Sequence, residues 1–182
     1  GFGTVYFAQE MLRKKQMGFD GRSVSISGSG NVAQYAADKA TELGAKVITL
    51  SDSGGTLVHE AGISHGMLQD LMEFKNVQRG RLKDFCKQHK LKFEADKRPW
   101  HVPVDIALPC ATQNELDGAD AKHLIANGVL CVAEGANMPS TLEAVDHFLA
   151  AGVLYAPGKA SNAGGVATSG LEMTQNAMRL AW

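Results

Sequence analysis

Gly28-Ser29-Gly30-Asn31-Val32-Ala33 has the spacing G-x-G-x-x-A and directly follows the alternating run Ser23-Val24-Ser25-Ile26-Ser27. The chemistry open to such a turn is the holding of a diphosphate by bare backbone. Gly28 lets the chain leave a strand in a tight turn, Gly30 lets the main chain approach a pyrophosphate, and Ala33 lets a new helix lie close against the sheet. The free N–H groups along Gly28, Ser29, Gly30, Asn31 and Val32, with the positive end of the helix dipole, then face the phosphates. By itself such a turn says little, since glycine-rich turns occur in many loops that bind nothing. Its flanks decide the matter. A helical segment from Asn31 to Leu43 is closed by Gly44, and Lys46-Val47-Ile48-Thr49-Leu50-Ser51 reads as a second strand ending at Asp52. That is about where an acid holding a ribose falls.

Three further stretches carry polar groups suited to a ligand: Cys110-Ala111-Thr112-Gln113-Asn114, Gly135-Ala136-Asn137 and Gly158-Lys159-Ala160-Ser161-Asn162. Each follows a short apolar run. In an open parallel sheet ligands sit beyond the carboxyl ends of the strands, where these loops would lie. Their amides can bond a ribose or a carboxamide or satisfy their own backbone as turns, and three such loops at three successive strand ends favour the ligand. Cys110 has no base at a recognisable spacing, so a packed thiol is favoured over a nucleophile. The six histidines show no metal-ligand spacing, and no metal and no catalytic residue is assigned.

The elements that would position these residues alternate. Thr4 to Met17 is a helical pattern ended by Gly18; Ser53-Gly54-Gly55 is a turn before a short strand Thr56-Leu57-Val58; helices follow at Met67 to Lys75 and Leu82 to His89. Strands at Val104 to Leu108, Leu130 to Glu134 and Val153 to Ala156 alternate with helices at Ala119 to Asn127 and at Ser140 to Ala151. Ser140 with Glu143 reads as a capping box, and Gly164-Gly165 opens a terminal helix. Alternation of this kind predicts an α/β fold: a Rossmann-like, doubly wound, mostly parallel sheet with helices on both faces. Trp100, between Pro99 and Pro103, is expected to plug the sheet edge.

With 182 residues, 45% of them hydrophobic and 20% charged, the chain can bury a full core as a single domain. A net charge of -1 gives no general attraction to nucleic acid or anionic lipid, and no apolar run spans a membrane. The basic run from Lys75 through Arg79, Arg81 and Lys83 to Lys97 lacks the interleaved aromatics of a base-stacking surface and reads first as a solvated face. Three widely spaced cysteines suit reduced thiols and a cytoplasmic setting. The beginning at Gly1-Phe2-Gly3 and the ending at Leu180-Ala181-Trp182 suggest a domain truncated at both ends.

Four stretches together resemble the hexameric glutamate dehydrogenases, within the Glu/Leu/Phe/Val dehydrogenase family, and specifically their NADP-type branch. They are Val24 to Ala36, Leu108 to Leu116, Ala133 to Pro139 and Ala163 to Glu172. The resemblance implies that residues 1–182 are the coenzyme-binding domain of an enzyme interconverting glutamate with 2-oxoglutarate and ammonia by means of NADP(H). It implies a homohexamer whose catalytic lysine and aspartate lie in a substrate domain preceding Gly1. It also implies that Asn31 contacts the coenzyme, that Ala111, Thr112 and Asn137 lie near the nicotinamide ribose, and that Ser169 reaches the substrate carboxylate.

Coenzyme choice divides the two lines of reasoning. An acid at Asp52 ordinarily holds the 2′-hydroxyl of NAD and repels a 2′-phosphate. The resemblance instead implies NADP, with Lys75 and Arg81 neutralising the phosphate, Arg79 assisting and Ser53 donating a hydroxyl. The alternative from another class is a non-catalytic NAD(P)-sensing module. Ser169, Lys159 and Asn162 argue against it, since a sensor has no use for polar groups aimed at a second ligand.

Overall fold

The computed structural model describes residues 1–180, so Ala181 and Trp182 of the expected terminal helix lie outside the described residues. Short apolar runs pair into one seven-stranded sheet in the order β4-β3-β2-β1-β5-β6-β7. The strands are β1 (Ser23–Ile26), β2 (Lys46–Asp52), β3 (Gly55–Val58), β4 (Lys92–Ala95), β5 (Ile106–Leu108), β6 (Cys131–Ala133) and β7 (Leu154–Ala156). Five of them, β2-β1-β5-β6-β7, run parallel, while β3 and β4 join antiparallel at one edge. The chain moves outward from β1 to β2 and later returns to β1's other side with β5, so the order reverses between β1 and β5. That reversal opens a crevice at the strand ends.

Both faces are covered. On one, α1 (Phe2–Arg13), α2 (Asn31–Glu42), α3 (His65–Asn76) and α4 (Leu82–Gln88) bury Val5, Leu12, Ala37, Leu71 and Phe85 against Ile26 and Leu50. On the other, α5 (Gly118–Ala126) and α6 (Leu142–Ala150) bury Leu124 and Phe148 against Ala107 and Val132. The α/β, mostly parallel architecture expected from the alternation is the one found.

Several local expectations are corrected. Lys92–Ala95, inside the basic run, is an edge strand, and its Glu94 takes Lys92 and Lys97 as ion-pair partners. The N-cap of α6 is Thr141, whose Oγ1 accepts the Ala144 N–H at 3.3 Å; Ser140 gives its own N–H to Glu134 instead. The reciprocal capping box belongs to α5, between Asp117 and Asp120. Gly18 does not end α1: the chain turns at Gln16, at φ 57°. Trp100 does not plug an edge. It sits on a 3-10 turn, Pro99–His101, fully buried against the central strands β1 and β2, with Nε1 donating to the Glu115 carbonyl at 3.2 Å.

Candidate functional site

The glycine turn lies at the carboxyl end of β1, beside the reversal in strand order. Gly28 has φ +84°, and a Cβ there would stand 3.0 Å from the Cys110 carbonyl oxygen and 3.3 Å from Ala111 Cα. Both the backbone and its neighbour therefore require glycine. The Gly28 N–H donates to Ser51 Oγ at 2.9 Å, and the Gly28 carbonyl accepts the Ser51 N–H at 3.1 Å, which pins the turn to the end of β2. Gly30 is different. It is the N-cap of α2 in an extended conformation, with no heavy atom within 4 Å of where a Cβ would be. Nothing in the fold demands a glycine there, so the bare backbone serves open space in front of it. No side chain caps α2, and its first-turn N–H groups, around exposed Asn31 and Val32, are left for a ligand oxygen. Ser29 is buried and Ala33 packs fully into the core.

At the end of β2, Asp52 opens a two-residue hairpin through Ser53 and Gly54 into β3. Its Oδ1 accepts the Gly54 N–H at 2.9 Å and its Oδ2 accepts the Leu82 N–H at 3.0 Å, with Lys75 Nζ at 3.8 Å from Oδ2. The carboxylate is thus occupied by the fold and by a lysine. Ser53 is exposed beside it. Arg81 is the N-cap residue of α4, its side chain exposed and without an ion pair among the described residues; Arg79, at φ 54°, is likewise exposed. Lys75 engages Asp52 through its ammonium, and Arg81 stands next to Leu82, whose N–H bonds the same carboxylate.

Beyond β5 the Ala111 and Thr112 N–H groups are already committed. They donate to Glu115 Oε1 at 3.0 and 3.3 Å, and the same oxygen accepts the Ser27 hydroxyl at 2.8 Å. Ser27 Oγ in turn accepts the Cys110 N–H at 2.8 Å. Burial pushes the Glu115 carboxyl above its ordinary value, against these hydrogen bonds. What this loop can offer a ligand is the Thr112 hydroxyl and the exposed Gln113, which borders both cavities, and not the N–H groups of Ala111 and Thr112. One cavity of about 430 Å³ lies between Asp52, Ser53 and Thr112. Another, of about 530 Å³, lies between Val32, Ala111, Gly135, Asn137 and Val166. Ala111 and Gln113 border both cavities, so the two flank the loop after β5.

Past β6 and β7, Glu134 is a buried hub that the sequence alone did not single out. Its Oε1 accepts the Tyr155 hydroxyl at 2.7 Å and its Oε2 accepts the Gly158 N–H at 2.7 Å. Asn162, expected to face a second ligand, borders the larger cavity and donates to Asn137 Oδ1 at 2.8 Å and to the Ala136 carbonyl at 3.2 Å. It braces the loop that presents Asn137. Lys159 is exposed on the one-turn helix α7 (Gly158–Ser161). Ser169 is exposed on α8 (Ala163–Ala177), one turn beyond Gly165, which borders the larger cavity. Cys110 is buried with its thiol pushed up to about 12, the state of a packed sulfur and not of a nucleophile. No group of three or more potential metal ligands occurs among the described residues.

A mostly parallel sheet with a glycine turn and an uncapped helix at its switch point defines a Rossmann-like fold. The chain belongs to the Glutamate/Leucine/Phenylalanine/Valine dehydrogenase family, whose model matches residues 1–182. It is 61% identical over 182 residues to the NADP-specific glutamate dehydrogenase of Escherichia coli, covering 100% of this chain and 41% of that protein. To the NADP-specific glutamate dehydrogenase of Giardia intestinalis it is 50% identical, covering 100% and 41%. The crystal structure of Plasmodium falciparum glutamate dehydrogenase superposes with a TM-score of 0.93 at 43% identity, covering 100% of this chain and 39% of that one. The chain thus spans about two-fifths of the length of these relatives.

Proposed function

We propose that residues 1–182 form the coenzyme-binding domain of an NADP(H)-dependent glutamate dehydrogenase, which interconverts glutamate with 2-oxoglutarate and ammonia. The observation that carries the coenzyme choice is the state of Asp52. Oδ1 accepts the Gly54 N–H and Oδ2 the Leu82 N–H with the Lys75 ammonium beside it, so the acid at this strand end is partly neutralised and its repulsion of a 2′-phosphate is reduced. The same strand end receives Lys75 and Arg81, cations that match a 2′-phosphate. The relatives named above as NADP-specific support this choice.

In this reading the diphosphate lies on the turn from Gly28 to Val32 at the start of α2, where the missing Cβ of Gly30 leaves it room. The 2′-phosphate meets Lys75, Arg81 and Ser53 at the end of β2, beside the cavity bordered by Asp52, whose own basic lining residues are Lys97 and Arg98. The nicotinamide end meets Ala111, Thr112 and Asn137 in the larger cavity, where a bound coenzyme would supply the hydride chemistry. Asn162 holds Asn137 in place, and Ser169 faces the substrate carboxylate. The catalytic lysine and aspartate belong to a substrate domain outside this chain, so the chain alone binds coenzyme and does no chemistry. The exposed Val166, Leu171 and Met173 of α8 and Tyr6 of α1 would be covered by that domain. Assembly as a homohexamer in the cytoplasm completes the reading. A non-catalytic sensing module is not favoured, because the relatives along the whole chain are enzymes by name.

The test is steady-state glutamate oxidation by the full-length protein with each oxidised coenzyme. A higher kcat/KM with NADP supports the proposal; an equal or higher value with NAD overturns its coenzyme assignment, and absence of glutamate turnover with either overturns it altogether.

A further inference from the structure

Gln34 lies on the first turns of α2, yet its side chain is fully buried, which an amide tolerates only when its hydrogen bonds are made. Its Nε2 donates to the Ser29 carbonyl at 2.8 Å and to Asn76 Oδ1 at 3.2 Å. Asn76 Nδ2 donates back to Gln34 Oε1 at 3.0 Å. The two amides thus form a reciprocal pair across 42 residues of sequence, joining the backbone of the glycine turn to the last residue of α3. The residue before Asn76 is Lys75, whose ammonium stands 3.8 Å from Asp52. After Asn76 the chain runs through exposed Val77, Gln78 and Arg79, the last in the left-handed region. A helix end that leads into such a segment frays unless something holds it. Val77 and Gln78 give their N–H groups to the Glu73 carbonyl and Gly80 gives its own to Phe74, and the amide pair adds the side-chain tie from this helix end across to α2.

We propose that Gln34 and Asn76 are a positioning pair for coenzyme selection: they fix the span between the diphosphate-facing turn and Lys75, so that a coenzyme carrying a 2′-phosphate is met by the ammonium. The inference rests on the proposed function, in which Lys75 receives that phosphate. The pair touches neither the phosphate nor the reacting atoms; with Asn76 removed, Gln34 keeps its own bond to the Ser29 carbonyl of the glycine turn, so the loss at Asn76 is felt at Lys75. Loosening it therefore weakens recognition of the 2′-phosphate while leaving the rest of the coenzyme's grip intact.

The test is a double-mutant cycle on the full-length protein, with Kd for NADPH and NADH measured by fluorescence titration for wild type, Asn76→Ala, Lys75→Ala and the double variant. Asn76 is on the surface side of the pair, and thermal unfolding verifies that each variant is folded. Asn76→Ala is expected to raise Kd for NADPH about three- to tenfold, the scale of coupling between neighbouring side chains, with Kd for NADH unchanged. In the Lys75→Ala background the substitution is expected to change neither constant further. A parallel rise in both constants would show a merely structural role; no rise, or an undiminished effect without Lys75, would equally overturn the inference. A wild type that does not prefer NADPH removes the coenzyme assignment and this inference with it. A wild type that prefers NADPH with an Asn76→Ala variant that keeps the full preference removes the inference alone.

Discussion

Substituting alanine separately at Gly28 and Gly30 separates what the fold needs from what the ligand needs. At Gly28 the left-handed backbone costs an alanine about 1–2 kcal/mol, and its methyl meets the Cys110 carbonyl oxygen at 3.0 Å. For a chain of this size that translates into a fall in Tm of roughly 2–8 °C. At Gly30 the backbone is extended and the methyl meets nothing within 4 Å, so the cost is confined to the small N-cap difference, under about 1 kcal/mol. The Gly30 methyl does stand in the space assigned to the diphosphate. Displacing one charge-assisted hydrogen bond costs about 1.5–3 kcal/mol, which is roughly ten- to 150-fold in coenzyme Kd. Differential scanning fluorimetry without coenzyme and fluorescence titration with NADPH measure the two effects side by side. Gly28→Ala should lower Tm, and Gly30→Ala should weaken NADPH binding at near-native Tm. A Gly30→Ala protein that binds NADPH like wild type would refute the placement of the diphosphate.

Three other expectations follow from titratable groups away from the glycine turn. Glu115→Gln keeps an Oε1 acceptor for Ser27, Ala111 and Thr112 and removes a charge that burial disfavours, so denaturant unfolding at pH 7 should show equal or greater stability. Glu115→Ala strands those donors and should lose about 1–3 kcal/mol; equal stability of the two variants would contradict this. All three thiols, Cys86, Cys110 and Cys131, are buried and pushed up to about 12, so a thiol reagent at pH 8 should label none of them until the protein is unfolded; rapid labelling of folded Cys110 would count against its packed role. Lys92, and secondarily His101, hold Glu94 down from 4.5 to about 2. A carboxyl lowered on folding contributes stability that is present above its unfolded value and is lost as pH falls toward 2. Glu94→Gln should therefore be less stable than wild type at pH 7, with the gap closing between about pH 4.5 and 2; a gap that does not narrow would refute the pairing.

The glycine turn, the neighbouring strands and the mostly parallel sheet were legible because glycine spacing and short apolar runs are local signals. Lys92–Ala95 was not, since a half-exposed edge strand carries the charges of a solvated loop. The capping box at Ser140 failed by one residue: Thr141 does the capping, and Glu143 turns toward His147, at 3.4 Å. Trp100 lies between prolines that suggest an edge, while its burial under the central strands depends on how the sheet closes over it. The polar ties around the site could not be read in advance. Ser27 meets Glu115 across 88 residues and Gln34 meets Asn76 across 42, and no local pattern announces such a meeting. Asn162 likewise has a brace that no local pattern announces: its Nδ2 holds Asn137 while the residue borders the larger cavity.

The most direct measurement is a crystal structure of the full-length protein with NADPH bound. The account predicts the diphosphate against the first-turn N–H groups of α2 over Gly30, the 2′-phosphate within ion-pair distance of Lys75, and the nicotinamide between Thr112 and Asn137. A coenzyme seated elsewhere, or a 2′-phosphate directed away from Lys75 with Asp52 bonded to the ribose, would contradict it.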